Sequence, residues 1–288
     1  MTPQRPRSSP PAPLRPRSAD PAATRPGGPI LALAFDLDGT VYLGDRLLPG
    51  AAELLEALSV AGVAFVFATN NSSKTLAAYR RHLAAMGLPD APEVVLTSND
   101  VARDALRAAG VARPFLVATD DVRREYGERG LAHEEAEPDA VLLTFDTSLT
   151  YAKLRRAADL IRAGVPYFAT HPDRVCPTPE GPIPDCGAFA ALLAAATGAQ
   201  PVVLGKPERP MAEAIGRRLG ASPSSIAFVG DRLYTDVRMA NDHGFVAVLT
   251  LTGETTREDL AASEHRPDIV VGDLRDLHTH LREVGALA

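Results

Sequence analysis

The stretch ILALAFDLDGT, residues 30–40, carries an apolar run straight into two acids, a glycine and a threonine. A run without polar interruption reads as a strand buried on both faces, the kind found in parallel sheets covered by helices. Ligands of such sheets bind beyond the carboxyl ends of the strands, so Asp36 and Asp38 stand where sites are built. Side chains two apart in extended chain point the same way. Both carboxylates can therefore address one substrate, one attacking while the other moves a proton. Gly39 permits the tight turn that follows. Taken alone, the same residues also read as a strand-end turn whose acids cap a helix.

Outward from this stretch the pattern repeats. Helices are expected at 51–62, 73–87 and 99–110, with strands at 63–69 and 93–98 between them. A similar series closes the chain: a helix at 211–220, a strand at 226–230, a helix at 235–244, a strand at 245–253 and a last strand at 268–272 before a short helix. Between the two series, apolar runs at 114–119, 140–145, 165–170 and 201–205 alternate with helical stretches at 151–164 and 188–198. The expected fold is α/β, a doubly wound parallel-sheet core of residues 29–102 and 204–288 carrying an inserted smaller α/β cap domain, residues 103–203. The Pro-rich stretch 172–184 reads as a loop facing whatever binds between the two units.

Three further stretches carry chemistry at strand ends. In FATNNSS (67–73), Thr69 offers a hydroxyl, and backbone N–H groups at the following helix start can hold a phosphoryl oxygen; the run is also a good capping sequence. In GKPERP (205–210), Lys206 follows a strand and precedes a proline suited to a helix start. It is not a P-loop lysine, since no glycine-rich run precedes it, and singly it reads as an exposed turn residue. In VGDRLYTDV (229–237), Asp231 and Asp236 form an acidic pair suited to Mg²⁺, which keeps waters and needs only one or two carboxylates plus phosphate. Asp236 equally reads as a helix N-cap.

Composition bounds the rest. The chain has 288 residues and carries −6; five arginines against one acid put +4 in residues 1–28, so the remainder carries −10. The Pro- and Arg-rich tail 1–28 is too poor in apolar residues to order itself and lacks the continuous apolar segment of a secretory signal. An anionic body without a basic stripe argues against nucleic acid as a partner. It leaves a small phosphorylated metabolite as the expected ligand, because a bound cation reverses the local field. Cys176 and Cys186 match no zinc spacing and read as thiols of a reducing compartment. No run of 18 apolar residues is present, so no membrane span is expected and the compartment reads as cytoplasmic.

In order and placement, DLDGT, the Thr of FATNN, the Lys of GKP and GDRLYTD resemble the four motifs of the haloacid-dehalogenase superfamily. The insertion between the second and third, with ATHPD (169–173), PTPEG (177–181), IPDCGA (183–188) and LTGETT (251–256), resembles its NagD-like branch, subfamily IIA. The similarity covers about residues 30–275. It implies a Mg²⁺-dependent phosphatase in which Asp36 is the nucleophile and Asp38 the general acid and base. Thr69 and Lys206, with backbone groups at Asn70 and Asn71, would hold the phosphoryl oxygens. Asp36, the Asp38 carbonyl and Asp231 would bind the metal, with Asp236 in support. The branch usually has Thr-Asn-Pro-Asp where this chain has Thr170-His171-Pro172-Asp173. His171 and Asp173 are therefore candidates for leaving-group choice from the cap, with a purely structural histidine as the alternative. Substrates of sugar phosphate, nucleotide monophosphate, glycerol phosphate or pyridoxal phosphate type all suit such a cap, which is also a place for a homodimer contact. A phosphotransferase of the same superfamily and a catalytically silent metabolite sensor are the competing readings.

Overall fold

The computed structural model describes residues 29–88, 94–178 and 180–287; the tail expected at 1–28 lies outside them. The chain runs through β1 (Ala32–Phe35), a small hairpin β2 (Tyr42–Leu43) and β3 (Arg46–Leu47), α1 (Ala51–Ala61), β4 (Ala64–Thr69), α2 (Leu76–Ala85), β5 (Val95–Thr97) and α3 (Ser98–Ala108). The inserted part contains β6 (Pro114–Val117), α4 (Asp120–Glu128), β7 (Ala140–Leu143), α5 (Tyr151–Arg162), β8 (Tyr167–Ala169), β9 (Val175–Cys176), β10 (Ile183–Pro184), α6 (Cys186–Thr197) and β11 (Val202–Val203). Then come α7 (Arg209–Leu219), β12 (Ile226–Gly230), α8 (Arg238–His243), β13 (Val246–Thr250), α9 (Arg257–Ala262), β14 (Ile269–Val271) and α10 (Leu274–Glu283).

Two parallel sheets result. The larger has the order β14-β13-β12-β1-β4-β5, the smaller β11-β8-β7-β6. In the larger sheet, β1 lies between β12 and β4, with Phe35 level with Val229 on one side and Phe67 on the other. The order reverses at β1, and the carboxyl ends beside this switch point bring Asp36, Thr69 and Asp231 to one edge. Leu33 and Phe35 enter an apolar cluster with Leu54 and Leu58 of α1 and Leu277 of α10. The alternate residues Ala32 and Ala34 pack with Met211 and Ile215 of α7. Both faces are buried, as the uninterrupted apolar run requires.

The structure departs from the sequence expectations where local geometry serves the site. Helix α2 begins at Leu76 rather than 73, because the Thr75 hydroxyl accepts from Ala78 N and leaves the preceding residues irregular. The helix expected over 235–244 opens as a π-helical turn, Leu233–Val237, before α8. Asp236 is therefore inside a turn and not an N-cap: its carboxylate accepts from Arg232 N at 3.1 Å. Within 172–184, β9 and β10 pair as a short antiparallel ladder. Helix α4 escaped the sequence reading because only Val122 and Tyr126 of its nine residues are buried. The boundary drawn after residue 102 falls inside α3, whose Val101 packs in the larger unit while Ala102 and Leu106 pack against the smaller sheet. One helix is shared by both units.

Candidate active site

Asp36, at the end of β1, and Lys206, after β11, meet although 170 residues apart: Lys206 Nζ donates to Asp36 Oδ1 at 2.5 Å. The same ammonium lies 2.8 Å from Asp236 Oδ1. Lys206 is 2% exposed. Burial pulls its pKa down, but Asp236 and Asp36 more than reverse that and hold it above the ordinary lysine value. It is therefore a permanent buried cation and not the exposed turn residue of the bland reading.

Asp231 completes the group. Its Oδ2 accepts from Glu254 N at 2.7 Å, and Thr40 Oγ1 donates to Oδ1 at 3.4 Å. A Cβ added at Gly39 would come within 2.7 Å of Asp231 Oδ2, and one at Gly253 closer still, so both glycines are needed for the carboxylate to fit. Oxygens of Asp36, Asp231 and Asp236 all lie within 4.8 Å of one another. Asp36 and Asp236 share one ammonium, and the third buried carboxylate, Asp231, lies beside them without a lysine contact among the described residues. Burial, then the charges of Asp36 and Asp236, push the Asp231 pKa well above the usual carboxylate range, a strain that a bound cation relieves. Such a cluster of hard oxygen donors with excess negative charge fits a small divalent cation.

Asp38 is only partly buried and opens on a cavity lined by Asp36, Thr69, Asn70, Asn71, Asp173 and Asp185 among others. Burial, then the Asp36 charge, raise Asp38 to about 6. The two carboxylates two residues apart thus occupy different environments, which separate acid and nucleophile roles require.

The second stretch behaves differently from its sequence reading. Asn71 N donates to Thr69 Oγ1 at 3.1 Å, so that amide is engaged within the loop instead of standing ready for a phosphoryl oxygen. Asn70 works through its side chain: Oδ1 accepts from Lys206 N at 2.8 Å, while Nδ2 donates to Lys206 O at 3.0 Å and Asp173 Oδ1 at 3.1 Å. It clamps the lysine backbone and ties the larger unit to the smaller.

Asp173 lines the cavity, as a cap candidate should. His171 does not. It is wholly buried behind the wall, with Nε2 3.2 Å from Ser72 Oγ and 3.5 Å from Asp185 Oδ1, and Nδ1 3.6 Å from Asp173 Oδ2. The expectation that it meets the substrate is corrected to the structural alternative, because Thr170 and Ser72 anchor its backbone segment in the interface between units. Burial lowers its pKa to about 4, whereas burial raises that of Asp185 to about 6. Between pH 6.5 and 4 the unfolded histidine binds a proton that the folded one refuses, so its contribution to stability falls as pH drops. Asp185 contributes in the opposite sense, since the folded carboxyl takes its proton first. His171→Asn removes the first contribution and also the charge that holds Asp185 down, and both changes favour the variant at low pH. On acidification from pH 7 to 4, denaturant unfolding should show the variant gaining about 3 kcal/mol relative to wild type.

Arg232 and Asp185 line the cavity without having been singled out in the sequence, and Cys176, read there only as a reduced thiol, lines it too. Arg232 Nη1 contacts Asp173 Oδ2 at 2.7 Å and its Nε contacts Glu254 at 3.0 Å. It lies directly after Asp231, but a lone arginine carries no spacing signal. Asp185 stood in the sequence only inside the IPDCGA motif; in the structure it caps α6 by accepting from Cys186 N.

A buried lysine among strand-end carboxylates, at a sheet switch point beneath an inserted unit, defines a hydrolase of the phosphoryl-transfer class. The comparisons agree. Residues 33–132 match the family model of haloacid dehalogenase-like hydrolases, and residues 203–277 a HAD-hydrolase-like model. The 5'-nucleotidase YutF of Bacillus subtilis is 31% identical over 242 residues, 84% of this chain and 94% of its own. The crystal structure of 4-nitrophenylphosphatase from Thermotoga maritima superposes with a TM-score of 0.83 at 42% identity, covering 87% of this chain and 97% of that one. Glycerol phosphate phosphatase Rv1692 from Mycobacterium tuberculosis, in complex with magnesium, gives 0.78 at 33% identity over 86% and 77%. The chain belongs to the haloacid dehalogenase-like hydrolases, in their NagD-like branch, and is a phosphoric monoester hydrolase.

Proposed function

We propose that the protein is a Mg²⁺-dependent phosphatase of small phosphomonoesters that works through a phospho-aspartate on Asp36. The observation that supports it most is the convergence of Asp36, Lys206, Asp231 and Asp236 on one buried point from three separate stretches. Asp36 attacks phosphorus through a carboxylate oxygen while Asp38, whose raised pKa leaves it able to carry a proton near neutrality, protonates the departing ester oxygen. The alcohol leaves, and phosphorus is bonded to Asp36. Asp38, now ionised, takes a proton from water, which attacks phosphorus, breaks the acyl phosphate and restores the Asp36 carboxylate. Lys206 and Thr69 bear on the phosphoryl oxygens, where negative charge is spread in the transition state. Asp36, Asp231 and the Asp38 carbonyl, with Asp236 behind them, would hold Mg²⁺, which when bound compensates phosphoryl charge.

The relatives' names, a 5'-nucleotidase and a glycerol phosphate phosphatase, favour small metabolites as substrates. The test is phosphate release from p-nitrophenyl phosphate with Mg²⁺ and with excess chelator. Turnover should vanish with the chelator and return on adding Mg²⁺. Metal-independent turnover would remove the cation from the mechanism, and tight ester binding without turnover would favour the sensor.

A further inference from the structure

The cavity has two ends of different charge. At the phosphoryl end lie Asp38 and Asp36, the latter paired with Lys206. The other wall is made by Asp173, Cys176, Pro177, Asp185 and Arg232. We propose that the Asp185 carboxylate selects leaving groups that are neutral and carry a hydroxyl, and rejects those bearing a second anion. This deepens the phosphatase reading and rests on it.

The charge at this end is set by contacts. Arg232 is the one lining cation among the described residues, and its guanidinium is spent: Asp173 and Glu254 hold Nη1 and Nε, and Nη2 donates to Val175 O at 3.3 Å. Facing two carboxylates, it has no charge to spare for an incoming anion. Asp185 is 2% exposed and pairs with no lysine or arginine. Its Oδ1 accepts from Cys186 N and lies beside His171 Nε2, which burial keeps neutral near pH 7. Oδ2 has no protein donor among the described residues, and the side chain lines the cavity. A buried acceptor left open this way gains most from a hydroxyl donor and discriminates against a ligand that lacks one. A carboxylate or second phosphate brought there meets an unpaired like charge in a poorly screened site. Lys74, which also acts on Asp38, is exposed and screened by solvent. His171, Asp173 and Asp185 are close enough to hold a metal ion, but Arg232 already supplies the positive charge through Asp173.

The test uses two substrates of one skeleton, glycerol 3-phosphate and 3-phosphoglycerate, which differ at the far end by a hydroxymethyl against a carboxylate. Wild-type kcat/KM should favour the former by at least about tenfold, the scale of one like-charge contact at intermediate dielectric. In Asp185→Asn, whose amide still caps α6, the ratio should move at least tenfold toward unity. Asp185→Ser, another capping residue without charge, should do the same. A wild-type ratio near one, or a ratio unchanged in both variants, overturns the proposal. Wild-type turnover of p-nitrophenyl phosphate is the separate readout: if it is present without discrimination, only the leaving-group assignment fails.

Discussion

Asp36→Asn should abolish turnover, with kcat for p-nitrophenyl phosphate falling on the order of 10⁵-fold, the scale seen when a covalent nucleophile is removed from an assembled site. The amide is isosteric but cannot form the acyl phosphate. Folding should not suffer, because the change removes one of three mutually repelling buried carboxylates and leaves Lys206 paired with Asp236. Asp38→Asn makes the useful contrast: it keeps the nucleophile and should slow the reaction by about 10²-fold, as the loss of a general acid does. Wild-type rates in Asp36→Asn would end the assignment of that residue. Mass spectrometry of the rapidly quenched wild-type enzyme should find one added phosphoryl group, absent from the variant.

Lys206→Met carries the second large effect, on stability as well as rate. The methionine fills a similar volume but leaves Asp36 and Asp236 without their shared ammonium. Removing one partner of a buried ion pair costs about 3–5 kcal/mol, because the remaining charge is stranded. For a chain of this size that is a fall in melting temperature of about 10 °C. Added Mg²⁺ should recover part of the loss in the variant by supplying positive charge to the same carboxylates, and turnover should still fall by at least about 10³-fold. A variant as stable and active as wild type would show that Lys206 does not compensate charge at this site.

Much of the site could be read one stretch at a time. Asp36, Asp38, Lys206 and Asp231 each stand at the end of an apolar run, and a buried parallel strand announces itself locally, through its own composition. Roles that depend on an unmarked partner could not be read this way. Asn70 carried a backbone role in the sequence reading, yet its side chain clamps Lys206 and Asp173, 136 and 103 residues away. Arg232 has no local pattern, and its importance comes from Asp173, 59 residues earlier. His171 stood in a loop expected to meet substrate, but packing against Ser72 and Asp185 puts it behind the wall.

The amino-acid sequence by itself determined the α/β class and the strand-end placement of Asp36, Asp38, Lys206 and Asp231. Those properties follow from short-range periodicity and from strand ends, which any parallel sheet gathers along one edge. Tertiary structure alone decided that Lys206 lies between Asp36 and Asp236, that α3 serves both units, and that Asp185 rather than His171 reaches the cavity. Each of these depends on distant stretches meeting at one place, within the larger unit or where the two sheets pack together. Burial and charge pairing across that contact are collective quantities, with no signature in the residues on either side taken alone.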